Sequence, residues 1–332
     1  MMQDSRTLEV LTQLGQYLVS DSEKLLATAQ QAERLNPWFT QKNIRQSLTA
    51  IAEQYLNSEQ LAAWAASYPP ASSTKTIGLI LAGNIPLVGF HDLLAVLVSG
   101  HRALIRLSSK DEVLFNHILE QLFTWEPSLK ERIVLTERLK DFDAVIATGS
   151  NNSARYFDYY FSKYPNIIRK NRNGVAVLTG TESPEQLQLL SKDVLDYFGL
   201  GCRNVSKIFV PEDYAFEPLM EALDGQKEVI QNNKYKNNFD YNLTLLLLNK
   251  IPHYVNECMM VTESESLHAR IATLHYQKYT SVEEAYAWIK AERDHIQCVV
   301  DGMQHLAFGG SQRPGLKDYA DNVDTLAFLS NL

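Results

Sequence analysis

Thr76-Ile77-Gly78-Leu79-Ile80-Leu81-Ala82-Gly83-Asn84-Ile85-Pro86 opens on a short apolar run and closes on Gly-Asn-Ile-Pro. The run 77–81 has the length and character of a buried strand. Pro86 suits the first turn of a helix, expected over 86–99, and Gly83 lets backbone approach a ligand. The alternation then repeats. Strands are expected at 103–107, 144–147, 175–178, 206–210 and 273–276, with helices at 111–124, 152–162, 184–198 and 281–292. Short apolar strands spaced by helices predict parallel sheets joined by right-handed crossovers, an α/β fold. The 232–242 segment is amide-rich and reads as a surface loop, and the break at 165–174 is the expected domain boundary.

Upstream, Leu8, Leu11, Leu14 and Leu18, then Ile44, Leu48, Ile51 and Tyr55, recur at spacings of three and four. Residues 4 to about 66 are therefore expected to be helical, interrupted at Pro37, with a linker at 67–75. A lid, a dimer surface and packing for the rest are all compatible with that pattern. At 332 residues, with 45% hydrophobic and 21% charged, the chain can form two domains with sizeable cores. A net charge of -8 argues against nucleic-acid or anionic-membrane partners. Cys202, Cys258 and Cys298 form no Cys-x-x-Cys pair, which argues for a reducing compartment and against a disulfide scaffold. The first residues carry no apolar signal core. The most apolar window, 86–98, is broken by His91 and Asp92 and is too short to span a bilayer, so the cytoplasm is the expected location.

Common catalytic motifs are missing: no Walker A loop, no His-Glu-x-x-His, no Gly-x-Ser-x-Gly. The eight histidines lack metal-ligand spacing, so no metal is expected. Two segments carry chemistry instead. Asn84 would project at the carboxyl end of a strand, where ligand sites of parallel sheets gather, unless it is only the cap of the next helix. Gly199-Leu200-Gly201-Cys202-Arg203-Asn204 places a cysteine between a helix end and a strand. Backbone N–H groups and Arg203 would favour its thiolate and make it a nucleophile; the alternative is a small buried hydrophobe. Cys258 and Cys298, beside Met259-Met260 and Val299-Val300, read as core.

With these segments in order, the chain from about Lys75 to Leu332 resembles the LuxC-type fatty acyl-CoA reductases, a short branch of the aldehyde dehydrogenase superfamily. Ala82-Gly83-Asn84-Ile85-Pro86 is similar to the Pro-Trp-Asn-Phe-Pro segment, whose Asn binds the oxyanion. Ala103 to Ser109, with Arg106 and Ser109, resembles the strand ending in Lys-Pro-Ser-Glu, and Thr148-Gly149-Ser150 the Phe-Thr-Gly-Ser turn under the nicotinamide cofactor. Gly201-Cys202 resembles the nucleophile segment. Glu265-Ser266-Leu267 stands for Glu-x-Phe, whose Glu holds the nicotinamide ribose, although it also reads as a solvated surface acid. Phe308-Gly309-Gly310 is similar to the Phe-Gly-Gly that closes the site.

The resemblance implies an aldehyde-dehydrogenase-like α/β fold: an N-terminal helical segment (1–70), a Rossmann-type cofactor domain (71–168, rejoined by 306–332) and an α/β catalytic domain (169–305). It implies a cytoplasmic enzyme reducing acyl-CoA to aldehyde through a thioacyl-Cys202, with Asn84 and the Cys202 N–H on the oxyanion and Arg106, Ser109, Thr148, Gly149, Ser150, Glu265 and Phe308 around the cofactor. Where the superfamily's aldehyde oxidisers have Glu-Leu-Gly-Gly, this chain has Arg169-Lys170-Asn171-Arg172-Asn173-Gly174, with no carboxylate to activate water. The loss favours reduction over oxidation. The turn after Ser150 lacks the usual second Gly, and the short chain leaves little room for the superfamily's β-hairpin arm, so any homodimer would need another surface. The same cysteine without redox chemistry would make an acyltransferase or thioesterase, and a packed, inert one an assembly subunit.

Cofactor choice follows from charge. The Glu ending the superfamily's Lys-Pro-Ser-Glu strand disfavours a 2′-phosphate, whereas Ser109 is neutral and Arg106 and Lys110 are cationic. If Arg106 only tops a buried strand, the site accepts either cofactor. NADPH is the expected cofactor, with NADH as the alternative. Steady-state kinetics should give a higher kcat/KM with NADPH, and Ser109→Glu should move the preference toward NADH.

Overall fold

Spacings of three and four put Val10, Leu11, Leu14 and Leu18 on one buried face of helix α1 (Ser5–Leu18) in the computed structural model, which describes residues 5–69 and 71–332. Helices α2 (Glu23–Leu35), α3 (Gln41–Gln54) and α4 (Ser58–Ala66) follow. Thr40 caps α3 through the Asn43 N–H and Asn57 caps α4, so Pro37 falls between two helices. Ile44, Leu48, Leu61 and Trp64 join Ile77, Leu79, Ile105 and Ile146 in one apolar cluster. The helical opening is thus packing for the sheet that follows, sharing its core.

That sheet is parallel. Strands β1 (Thr76–Ile80), β2 (Arg102–Arg106), β3 (Ile133–Leu135), β4 (Ala144–Thr148) and β5 (Asn166–Arg169) lie in the order β3-β2-β1-β4-β5. Helices α5 (Phe90–Val98), α6 (Glu112–Trp125) and α7 (Asn151–Phe161) connect them. The order reverses between β1 and β4, and ligands of such sheets bind outside the carboxyl ends of the strands at that switch point.

The second sheet has strands β6 (Asn173–Val177), β7 (Val205–Pro211), β8 (His253–Val255), β9 (Met260–Glu263), β10 (Thr273–Tyr279) and β11 (Ile296–Val300), ordered β11-β6-β7-β10-β9-β8. Only the edge strand β8 runs antiparallel to its neighbour. Helices α8 (Pro184–Leu195), α9 (Glu217–Asp224), α10 (Asn233–Leu248) and α11 (Val282–Ala291) accompany it, and α12 (Thr325–Ser330) ends the chain. Two compact units result: one runs to Asn171 and takes in Pro314–Leu332, the other is Arg172–Arg313. Among the described residues, no helix is long and apolar enough to cross a membrane.

Three local expectations are corrected. The helix expected from Pro86 begins at Phe90, because Leu87 takes a left-handed φ of 56° and Gly89 stands at the cap. The 232–242 segment is not a loop but the first part of α10. Asn232 accepts from the Lys234 and Tyr235 N–H groups, and Tyr235, Phe239 and Asn242 are buried at helical spacing while the remaining amides face outward. The helix expected over 184–198 stops at Leu195, and Tyr197 and Phe198 follow in left-handed conformation.

One buried ion pair ties the first unit's ends together. Arg169, at the end of β5, places Nη1 2.7 Å from the Asp92 carboxylate on α5 and donates from Nη2 to Thr325 Oγ1 at 2.8 Å. Both charged side chains are at most 7% exposed. Removing one partner strands the other charge. Asp92→Ala should therefore lower the unfolding free energy by about 3–5 kcal/mol, read as a lower urea midpoint, and Asp92→Leu with Arg169→Met should recover much of it.

Candidate active site

In the first unit, the candidate residues gather at the carboxyl edge of the sheet. Asn84 is half-buried on the loop after β1. It is not the cap of α5, which starts six residues later, so the plain capping role fails on geometry. Its loop is held from three sides. Ser47 of α3 donates to the Pro86 carbonyl at 2.7 Å, the buried Asp111 carboxylate accepts the Leu87 N–H at 2.6 Å, and the Leu81 N–H reaches the Arg106 carbonyl at 3.2 Å. Burial pushes the Asp111 carboxyl well above the usual carboxylate range. Gly83 is required by crowding: a Cβ there would lie 2.6 Å from Ser108 Oγ.

Arg106, the last residue of β2, and Ser109 and Lys110 just past it are exposed, and Asn36 of the helical opening donates to the Lys110 carbonyl at 3.2 Å. Thr148 ends β4, and Ser150 caps α7 by accepting the Ser153 N–H at 3.2 Å. Asn84, the Arg106–Lys110 loop and Thr148-Gly149-Ser150 therefore flank the point where the strand order reverses. That edge offers a helix N-terminus and exposed cations, which suit a phosphate-bearing ligand.

In the second unit, Cys202 is half-buried in a turn between α8 and β7. Asn204 builds that turn. Its Oδ1 accepts the Gly201 N–H at 2.8 Å, and its Nδ2 donates to the carbonyls of Asp193 at 3.0 Å, Val194 at 3.3 Å and Asp196 at 2.9 Å. One amide thus caps the end of α8 and closes the cysteine turn. β6 must leave room beside it: a Cβ on Gly174 would meet the Arg203 carbonyl oxygen at 2.6 Å. The Asp193 carboxylate accepts the Gly309 N–H at 2.6 Å and the Ser311 N–H at 2.9 Å. Burial raises its pKa, and those donors oppose the shift. The Phe308-Gly309-Gly310 segment, with Phe308 buried, is tied in this way to the helix that precedes Cys202.

The other cysteines differ. Cys258 is fully buried, and burial with nearby Asp224 and Glu257 pushes its thiol up to about 12. Cys298 is half-buried on β11 and donates to the Arg203 carbonyl at 3.6 Å. Glu265 is exposed on the loop after β9. That loop touches the strand following Cys202, since Ser206 Oγ donates to the Leu267 carbonyl at 2.7 Å. Among the described residues, no group of three or more His, Cys, Asp or Glu is placed to hold a metal ion.

Sequence reasoning overlooked Asn204, Asp193 and Asp111. For Asn204 the sequence does carry a signal, an amide two residues after Cys202 and just before a strand. Asp193 and Asp111 look like ordinary helix acids in the sequence, and only their burial, at 1% and 2% exposed, marks them.

The fold is that of the aldehyde dehydrogenases. The chain superimposes on aldehyde dehydrogenase 21 from Physcomitrella patens with a TM-score of 0.65 and 12% identity, covering 89% of this chain and 72% of that one. A benzaldehyde dehydrogenase from Corynebacterium glutamicum gives 0.66 and 11%, covering 90% and 76%. The propionaldehyde dehydrogenase of a Clostridium phytofermentans bacterial microcompartment gives 0.61 and 12%, covering 92% and 79%. At such identities the likeness is one of fold. The chain belongs to the LuxC acyl-CoA reductase family, which it matches over residues 8–218, a span that includes Asn84 and Cys202 and ends before Glu265 and Phe308. No curated protein sequence matches it.

The Asn204 contacts have a measurable consequence. Asn204→Ala should cost about 3 kcal/mol of stability in denaturant unfolding, because it leaves the last carbonyls of α8 without donors. Asn204→Asp should rescue little of that loss, since a carboxylate can accept the Gly201 N–H but cannot donate to three carbonyls.

Proposed function

We propose that this protein is an NADPH-dependent acyl-CoA reductase that works through a thioacyl intermediate on Cys202. The observation carrying the proposal is the Cys202 turn: a half-buried thiol, in a segment that resembles the superfamily's nucleophile segment, on a turn closed by Asn204. The Cys202 thiolate attacks the thioester carbonyl. The oxyanion is assigned to the Cys202 backbone N–H and the Asn84 amide, and it collapses with cleavage of the bond to coenzyme A, which leaves as a thiolate and takes a proton from solvent. The acyl group now sits on Cys202 as a thioester.

A nicotinamide dinucleotide held at the carboxyl edge of the first sheet would supply hydride to that acyl carbon. Support for it comes from the reversal point of the first sheet, with Ser150 at a helix N-terminus and the exposed Arg106 and Lys110. Among structures of the same fold, the Corynebacterium benzaldehyde dehydrogenase is NAD-dependent and the indole-3-acetaldehyde dehydrogenase of P. syringae is a complex with NAD+. After hydride transfer, the thiohemiacetal on Cys202 expels aldehyde and restores the thiolate. The stretch beside the site supports reduction over hydrolysis. Arg172 Nη1 donates to the Arg293 and Ile296 carbonyls, and neither neighbour, Asn171 nor Asn173, could serve as a base for water.

Two measurements test this. Mass spectrometry after incubation with acyl-CoA and no cofactor should show an adduct on Cys202 that Cys202→Ala abolishes; an adduct surviving in the variant ends the assignment. Cofactor oxidation with acyl-CoA thioesters of increasing length should give turnover, and Asn84→Ala should lower kcat by about 10²-fold while the fold is kept. Thioester consumed without cofactor oxidation would instead identify an acyltransferase or thioesterase.

A further inference from the structure

Lys207 is fully buried in β7, and among the described residues its ammonium meets backbone carbonyls and no carboxylate. Burial pushes its ammonium down to about 8, opposed by the more distant Glu265 and Glu292. Its charge is met instead by aromatic faces, Trp288 at 4.7 Å and Phe209 at 5.5 Å, and by two backbone carbonyls. Those carbonyls belong to Ser264 at 2.8 Å and Glu265 at 2.9 Å. The next two carbonyls of the same loop are also captured. His275 Nδ1 donates to Ser266 at 2.9 Å and Ser206 Oγ to Leu267 at 2.7 Å. Lys207 and His275 are register partners on adjacent parallel strands. Four consecutive carbonyls are therefore bound by three side chains of β7 and β10, while the Glu265 side chain stays exposed.

We infer that Lys207, with Ser206 and His275, forms a carbonyl clamp that presets Glu265 to receive the ribose of the nicotinamide cofactor. This role rests on the reading of Glu265 as a cofactor ligand. Lys207 is a positioning residue: it reaches the cofactor only through the loop it holds. A buried cation is expensive to keep in a core, and a hydrophobic side chain would pack the space between Trp288 and Phe209 at lower cost. What a hydrophobic side chain lacks is donors. Lys207 brings three, enough to serve both carbonyls at once. The strand that begins just after the nucleophile turn thereby also holds the cofactor loop.

The test uses the full-length protein with two readouts. Hydrogen exchange of the amides at 264–268 reports the clamp itself, and in Lys207→Met it should speed up by about 10-fold or more. The KM for NADPH should rise by about 10-fold or more, while single-turnover release of coenzyme A without cofactor stays within about twofold. Lys207→Arg, which keeps donors to the carbonyls, should recover most of both losses. Unchanged exchange in Lys207→Met overturns the clamp. Faster exchange with an unchanged KM overturns the positioning role. If Glu265→Gln also leaves KM unchanged, the error lies in the role given to Glu265, and the exchange result still judges the clamp. Should Lys207→Met fail to fold, Ser206→Ala, which removes only the donor to Leu267, is judged by the same two readouts.

Discussion

Backbone polar groups that leave a sheet or a helix must find new partners, and around the candidate site residues they find them on buried or half-buried side chains. Asn204 serves three carbonyls at the end of α8 and one N–H of the cysteine turn. Asp111 takes the Leu87 N–H, Ser47 serves Pro86, and Asp193 takes two N–H groups of the Gly309 loop. Lys207, His275 and Ser206 do the same for residues 264–267. Without those donors and acceptors the loops would keep their composition and lose their shape. An unsatisfied buried group costs about 1–3 kcal/mol, so each side chain decides between one loop conformation and many.

The constraint also explains unfavourable backbone near Cys202. Tyr197 and Phe198 both take left-handed conformations, at φ 53° and 61°, and both are buried. Such residues cost about 1–3 kcal/mol each and persist only where their surroundings leave no alternative. Here the surroundings are the Asn204 contacts on one side and the packing of Phe198 against Tyr235 on the other. The abrupt turn brings Cys202 out of the helix and half out of the core. Cys258, with no such turn, is sealed inside with its thiol held protonated.

Support for the first unit comes from both ends of the chain. Ser47 and Asn36, from the helical opening, bind the loops after β1 and β2, and Thr325 of α12 joins the Arg169–Asp92 pair beneath the same sheet. The opening helices thus reach the candidate cofactor edge through hydrogen bonds as well as through the shared core.

The alternation of apolar runs and helical periods from Thr76 onward determined the α/β class, and the ordered short motifs determined the family. Both are local patterns, and a local pattern is written directly in residue order. The sequence also set Asn84 at a strand end and Cys202 just after two glycines, since Gly and Pro punctuate the chain wherever they stand. It could not show that 232–242 is helical, because the buried face of Tyr235, Phe239 and Asn242 exists only once a core lies against it. It could not show that Asn84 is free of a capping role either, because the start of α5 is set by Leu87 and a carboxylate at Asp111, twenty-four residues away. Asn204, Asp193 and Lys207 are ordinary polar residues until folding removes water from around them. Burial belongs to the packed structure, and burial makes each of them hold one loop in one shape.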